Sequence, residues 1–488
     1  MKSNLVLIQP GIGDMDMFRD NPTPPLGLLC AASLICGELE VRIVDQRAEA
    51  DWRAALAAAI DKGTVAVGFT AMTGGMILNA LEAAVLARSL CAAPLVWGGI
   101  HASLLPEQTV SHDLADYVVE GEGEQALAEL VRRLAAGADT AGIPGVWSRK
   151  EGKVFSSPRG PLLNLDTLPP VPYHLVDMEK YTQTYRGKKM FFYQSSRGCP
   201  CKCAYCYNRV FSLGRLRAKS AARVLAELRD LRSRYDFSLV YLLDDNFFID
   251  QRRAMTILAG LKEMGLGCVL QGVDIETLAR MSDADLDFAE AAGVVRIAIG
   301  VESGVDRVRT EILNKSGSLR LAREQLARFK NRKIAVLCSL IVGLPAETPE
   351  EIRTTMSFGL EILRLGENFR IPQFYIFSPY PGTKLFSALE RAGTSFPGRL
   401  EEWGKYEWDY SHMHESSPGL KDFLERACFV SKFLDRKMDD YGSGGWILKA
   451  LYNAYRPLAR FRLRTGFLNP LPERAGYAAL KNIFKRSV

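Results

Sequence analysis

Short runs of Val, Ile and Leu alternate with stretches of helical period along most of this chain. In the first 140 residues NLVLIQP, VRIVDQ, VAVGFTA, PLVWGGI and DYVVEGE have the apolar, β-branched character of strands, and 27–36, 52–61, 76–90 and 124–136 between them predict helices. Strands that are apolar throughout and joined by helices predict a parallel sheet covered on both faces. Residues 1–140 therefore read as a doubly wound α/β domain. Ligands of such sheets sit at the carboxyl ends of the strands, which puts weight on 9–13, 70–75, 98–103 and 120–123. All four segments are rich in glycine or small polar residues, and these let a large flat ligand come close to the backbone.

The pattern breaks down over 141–190, where PLLNLDTLPPVPYHLV carries four prolines and no helical period. This stretch predicts a surface linker. A second alternating series follows over 191–390. FFYQSSR, SLVYLLDD, GCVLQGV, VVRIAIGVE, AVLCSLIVGL and FRIPQFYIF are its strands, with helices predicted at 221–235, 252–264, 283–292, 319–331 and 349–365. Six strands with interposed helices predict a partial (β/α)6 barrel, whose functional loops lie at the carboxyl ends of the strands. Residues 391–488 read as a mixed, mostly helical region. WILKALYNAYRPLARFRLR predicts one amphipathic helix with Ile447, Leu451, Tyr455, Leu458 and Phe461 on one side, kinked or ended at Pro457.

Composition changes this picture little. At 488 residues, 48% hydrophobic and 24% charged, the chain is that of a multidomain globular protein. The start, MKSNLVLIQPGIGD, reads as a first strand and not as a signal peptide, and no run of 18 apolar residues predicts a membrane span. The expected location is the cytoplasm, with membrane association through the tail as an option. The net charge of +6 belongs to that tail. Residues 446–488 hold nine Lys/Arg against the single acid Glu473, which leaves −2 for residues 1–445. The tail reads as a solvated face, as a membrane-surface helix, or as a binder of an anionic substrate or tRNA. A charge so confined is not a nucleic-acid footprint spread over the protein, and nucleic acid is not the partner expected.

The chemistry is concentrated in SSRGCPCKCAYCYN. Four of the ten cysteines fall within eight residues, and Cys199, Cys203 and Cys206 have the spacing Cys-x3-Cys-x2-Cys. Three thiolates can hold a cubane iron–sulfur cluster and leave one iron open. The alternative is a closed zinc site using all four sulfurs. Zinc sites usually draw on two separated pairs, whereas these cysteines share one short loop directly after the first barrel strand. Cys201 is then the surplus thiol.

This spacing, with SSRGCP and CAYCYN around it, resembles the radical SAM superfamily, in which the open iron binds S-adenosylmethionine and one electron releases a 5′-deoxyadenosyl radical. Downstream segments carry the resemblance further. It implies that Tyr205 lies along the adenine. LLDDNFF puts Asp244 and Asp245 near the methionine end, and IGVESG puts Glu302 and Ser303 at the ribose. SLIVGLPAET sets Gly343 along the adenine, and IFSPYPGT is the turn after the sixth strand. The resemblance singles out no catalytic acid or base.

TAMTGGMI, VWGGIHASLLPEQT and VVEGEGE resemble the cobalamin-binding domain that precedes many such barrels. The resemblance implies cobalamin contacts at Thr70, Thr73, Gly74, Gly98, Gly99, His101, Glu120 and Gly121. The first loop, QPGIGD, lacks the cobalt-ligating histidine of many cobalamin carriers, so the lower ligand would be water, another side chain, or nothing. His101 reads either as a contact to the nucleotide tail or corrin edge or as a hydrogen-bonded loop histidine. A dinucleotide fold is the other candidate, but GEGEQAL lacks the third glycine of that fingerprint.

Together the two resemblances imply an enzyme with a 4Fe-4S cluster, S-adenosylmethionine and cobalamin that methylates an unactivated carbon. A cyclase or oxidative rearrangement without methyl transfer, of the porphyrin-cyclase kind, is the second reading. A methylthiotransferase using Cys30, Cys36 and Cys91 for a second cluster is a third, and a zinc-stabilised corrinoid carrier a fourth. The expected partners are a small-molecule or lipid-like substrate and an electron donor such as flavodoxin or ferredoxin. The aromatic segment WGKYEWDYSHMH at 403–414 and the tail are expected to shape the substrate side.

Overall fold

The structure, a computed structural model, describes residues 3–12, 21–406, 409–410, 412–440, 446–474 and 477. Its first sheet contains β1 (Asn4–Gln9), β2 (Glu40–Asp45), β3 (Thr64–Thr70), β4 (Leu95–Gly98), β5 (Tyr117–Val119), β6 (Val146–Lys150) and β7 (Lys153–Ser156), in the spatial order β2-β1-β3-β4-β5-β6-β7. The pairings among β1 to β5 are parallel, as the doubly wound reading predicted. The strand order turns over between β1 and β3, and a crevice opens there because successive helices leave on opposite faces.

The segment expected to be a linker is partly sheet. β6 and β7 form an antiparallel hairpin on the edge of the first sheet. It turns at Glu151 and Gly152, both with positive φ (50° and 76°). A second hairpin joins β8 (Gln183–Tyr185) to β9 (Lys188–Tyr193), turning at Arg186 and Gly187 with φ of 49° and 74°. Two consecutive positive φ angles are the geometry of the tight turn that matches strand twist. The Glu-Gly and Arg-Gly pairs were the signal for it. Only the proline-rich stretch between these hairpins fits the linker expectation.

The second sheet adds β12 (Leu239–Leu242), β13 (Gly267–Val273), β14 (Val294–Glu302), β15 (Ala335–Val342), β16 (Phe369–Arg370) and β17 (Phe374–Ile376), while β10 (Ser196–Arg197) and β11 (Arg217–Ala218) pair separately. From β9 onward the strands are parallel, giving the six-position open barrel expected. The helices between them start on side-chain caps, at Ser220, Asp250, Ser282 and Thr348, the last two as full capping boxes.

The sixth strand, expected to be continuous over 369–377, splits at Pro372. Proline has no N–H to give to a ladder. The backbone on either side is satisfied from the carboxyl-terminal region. Asp435 accepts the Ile371 N–H at 2.6 Å and Ser431 that of Phe374 at 2.8 Å. The helix Pro418–Ser431 thereby covers the open edge of the barrel.

The last hundred residues refine two expectations. Within 403–414, Trp403 is buried with Leu400 and Phe386 against Ile77 and Ala84 of the first domain, where Gln108 accepts its indole N–H at 2.8 Å, while His414 lies over Gly343. The helix Trp446–Thr465 forms and runs through Pro457, but its buried residues, among the described side chains, are Tyr452, Ala459, Arg462 and Leu463, while Leu451, Leu458 and Phe461 are exposed. The small Ala459 is what lets the helix sit close on its neighbours, and the bulkier residues are left outside. Ile447 lies outside the described side chains. No described helix is long and apolar enough to cross a membrane.

Candidate active site at the facing strand ends

The carboxyl ends of the two parallel sheets face one another across a cavity of about 500 Å³. Gln9, Thr70, Gly98 and Gly121 line it from the first sheet; Leu243 and Asp245, after β12, line it from the second, with Arg197 and Gly198 at the end of β10. Each follows from topology, because every parallel strand delivers its last residue to the same end. The cysteine loop leaves β10 at this end, so the cavity wall and the loop share residues.

All four cysteines of the loop are free and partly buried. Burial pushes the Cys203 thiol up and that of Cys206 to about 12, while a hydrogen bond with Cys201 lowers Cys199 and raises Cys201. Among the described residues, no three His, Cys, Asp or Glu side chains converge closely enough to hold a single metal ion. In a cubane each thiolate reaches its own iron. The soft sulfur set and its spacing fit a cluster held by Cys199, Cys203 and Cys206.

Tyr205, between two of these cysteines, donates its hydroxyl to Glu302 at 2.9 Å. Glu302 also receives Lys315 at 3.4 Å, and Lys315 reaches Asp274 at 3.6 Å. All three charged groups are buried or nearly so. Burial alone would depress Lys315, but Glu302, Cys203 and Asp274 carry it above its ordinary range, so it stays charged. Glu302 itself adopts a φ of +70°, a conformation that costs a non-glycine residue of order 1 kcal/mol. Its carboxylate folds back over Gly300, where an added Cβ would clash with Oε1 and lie 3.2 Å from Lys315 Nζ. This network pins the end of β14 to the cysteine loop.

Of the two aspartates after β12, Asp245 lines the cavity and accepts the Gly198 N–H at 2.9 Å. Burial raises its carboxyl, offset by Asn208 and Gly198. Asp244 is fully buried and accepts from Ser195 at 2.9 Å and from Ser196, with Oδ2 left without a partner. Its role here is to tie β10 to β12. The Ser303 hydroxyl is likewise internal, 3.0 Å from that of Thr355. Gly343 sits at the end of β15 with φ of +75°, below Leu424 and His414.

On the first-domain side, Thr70, Gly98, Gly99 and Gly121 line the cavity, and Thr73, Gly74, His101 and Glu120 do not. Gly99 has φ of +87°, and a Cβ there would lie 2.5 Å from Thr70 Oγ1. Gly98 faces open space on that side apart from Val119 O at 3.7 Å. The result is a smooth wall suited to a broad ring. His101 is fully buried, hydrogen-bonded from Nδ1 to Thr73 at 2.9 Å and packed on Trp403, with Nε2 unpartnered. Burial pushes its imidazole down to about 3. Glu120 is held by Arg159 at 2.6 Å and by the Trp147 indole at 2.7 Å.

Sequence reasoning missed the groups that join the two walls. Arg197, next to the first loop glycine, is partly buried and pairs with Glu124 at 2.6 Å and Glu122 at 3.2 Å. Arg217 holds both oxygens of Glu122 at 2.6 Å. Arg159 spans Glu120 and the carbonyls of Val210 and Phe211. Their partners are far away in sequence, so no local signal marks them. Glu347 was missed as well. Its Oε1 is buried without a partner and burial raises its carboxyl to about 7.

Comparison with known proteins agrees with this geometry. Residues 193–359 match the radical SAM superfamily and residues 19–131 the B12 binding domain. An uncharacterized methyltransferase of Pyrococcus horikoshii is 31% identical over 441 residues, covering 87% of this chain and 92% of that protein. The anaerobic magnesium-protoporphyrin IX monomethyl ester cyclase of Rubrivivax gelatinosus is 25% identical, covering 71% of this chain and 59% of its own length. The fold is shared with the radical S-adenosylmethionine methyltransferase TsrM from Kitasatospora setae, a structure with cobalamin and a [4Fe-4S] cluster bound (TM-score 0.64, 19% identity, 80% of this chain and 75% of that one). The chain belongs to the cobalamin-binding radical SAM family of enzymes, which work with an iron–sulfur cluster, S-adenosylmethionine and cobalamin.

Proposed function

We propose that the enzyme methylates an unactivated carbon of a small or lipid-like molecule. The observation that carries the reading is the shared cavity. The glycine wall of a B12 domain and the cysteine loop of a radical SAM barrel border the same space, so a substrate there would meet both cofactors. When bound, the cluster and S-adenosylmethionine supply a 5′-deoxyadenosyl radical and cobalamin supplies the methyl group. The chain's own part is to hold and separate. Cys199, Cys203 and Cys206 hold the cluster. Tyr205, Glu302 and Gly343 border the S-adenosylmethionine side, and Asp245 fixes the loop. Thr70, Gly98, Gly99 and Gly121 form the corrin wall. Arg197 with Glu122 and Glu124 sets the spacing between them. A low-potential donor such as flavodoxin or ferredoxin would deliver the electron.

The named function of the Pyrococcus horikoshii relative supports methyl transfer, and that of the Rubrivivax gelatinosus relative supports cyclisation as the second reading. Anaerobically reconstituted holoenzyme given S-adenosylmethionine with a deuterated methyl group separates them. Methyl transfer predicts S-adenosylhomocysteine together with deuterium in the corrinoid fraction. Formation of 5′-deoxyadenosine alone, with unlabelled corrinoid, would favour the cyclase reading.

A further inference from the structure

At the opposite end of the barrel, where its strands begin, the helix Trp446–Thr465 crosses the end of the helix Pro349–Ile362. Between them lies a groove of about 350 Å³ lined by Arg364, Arg456, Arg460 and Arg464, with Leu360, Pro457 and Phe461. No acid lines it. None of the four guanidinium groups forms an ion pair with an acid among the described residues. Arg456 donates to Asn453 Oδ1 at 3.1 Å and Arg460 to the Leu434 carbonyl at 2.8 Å, contacts that orient the side chains without neutralising them.

The acids nearby are committed elsewhere. Glu361 takes both donors of Arg323, Glu367 faces Arg436 at 3.6 Å, Asp439 accepts from Asn453, and Asp435 accepts the Ile371 N–H. Burial lowers Arg460, and Arg456, Arg364 and Arg436 lower it further, with Asp435 opposing. Four like charges gathered around one groove repel one another, and they persist at lower cost when an anion sits among them. Guanidinium forks match phosphate oxygens two at a time.

We propose that this groove is a binding site for a phosphate-bearing anion. The proposal is independent of the methyl-transfer reading. Two sources share the chemistry, a phospholipid headgroup and a soluble phosphate ester. The surroundings favour the headgroup: Leu451, Leu458 and Phe461 stand 56%, 44% and 47% exposed on the same helix. Apolar side chains beside arginines are the pattern of a helix lying in a lipid interface.

The test uses the holoenzyme and its Arg460→Glu/Arg464→Glu variant, neither residue being near the cofactors. Sedimentation with vesicles of phosphatidylcholine alone, or mixed with phosphatidylglycerol, reads the headgroup arm; a thermal shift with inorganic pyrophosphate reads the soluble arm. The expected result is at least about tenfold stronger binding to the anionic vesicles, weakened by salt and lost in the variant, with S-adenosylmethionine cleavage unchanged. Phe461→Ser should weaken vesicle binding and leave any pyrophosphate shift intact. A pyrophosphate shift lost in the variant, without vesicle preference, would sustain the anion site and assign it to a soluble ester. If neither probe distinguishes the wild type from the variant, the proposal is overturned. Should the glutamate variant fail to fold, Arg460→Gln/Arg464→Gln carries the same comparison.

Discussion

The two walls of the cavity are built on opposite principles. The first domain lines it with Thr70, Gly98, Gly99 and Gly121 among apolar side chains such as Phe69 and Met76, its acids Glu122 and Glu124 are paired off by arginines, and His101 is turned into the core. Behind the other wall the barrel gathers thiols and buried charge, with Tyr205, Glu302, Lys315 and Asp274 in one network, and Arg197 reaches across to the first domain. A broad ring is accommodated by shape, so its wall must be smooth. A cluster and a sulfonium carry charge in a low dielectric, so their wall must hold fixed counter-charges. The contrast predicts that substitutions on the barrel wall act through chemistry and those on the glycine wall through space.

The largest break is expected at the cysteines. Cys203→Ala should lose the iron chromophore and all 5′-deoxyadenosine formation, while Cys201→Ala keeps both; iron content and product chromatography check this. Removing Arg197 comes next. Arg197→Gln strands Glu124 as a buried carboxylate, while Arg217 keeps Glu122 paired, which should lower stability by about 3 kcal/mol. It should also uncouple the walls, so that corrinoid is retained while cleavage of S-adenosylmethionine falls. On the smooth wall, Gly99→Ala forces a positive φ and a 2.5 Å contact on a Cβ, at a cost of about 1–3 kcal/mol. The measurement is corrinoid retained per chain, which should drop while iron content holds.

The smallest effect is a pH dependence. Because the folded imidazole of His101 sits near 3 against an ordinary value of 6.5, only the unfolded chain takes up its proton between those limits. Its contribution is therefore present above pH 6.5 and declines as the pH falls. For one such group the slope approaches about 1.4 kcal/mol per pH unit. Denaturant titrations at pH 7 and pH 5 should show this loss in the wild type and a smaller one in His101→Gln.

Much of this was readable from the chain because it is local. The strands Gly267–Val273 and Val294–Glu302 and the helix Met76–Leu90 were marked by unbroken periodicity, and the cysteine spacing is a property of eight residues. What stayed hidden depends on distant partners. Ser303 looked free until Thr355 was beside it, Asp244 until Ser195 and Ser196 were. Glu122 and Glu124 read as part of a ligand loop because Arg197 lies more than seventy residues on. The helix Trp446–Thr465 was recognised but rotated, since its docking side is chosen by the small Ala459 and not by the bulkiest residues. The two hairpins were overlooked because a dense run of prolines between them set the expectation for the whole stretch.

The burial of Trp403 within the first domain has a consequence for biosynthesis. That domain leaves the ribosome first, yet the aromatic cover over its helix Met76–Leu90 is translated some three hundred residues later. Until then the nascent domain carries an uncapped apolar flank. A chain cut short before Leu400 would keep that flank open to water, and should aggregate more readily than the full chain.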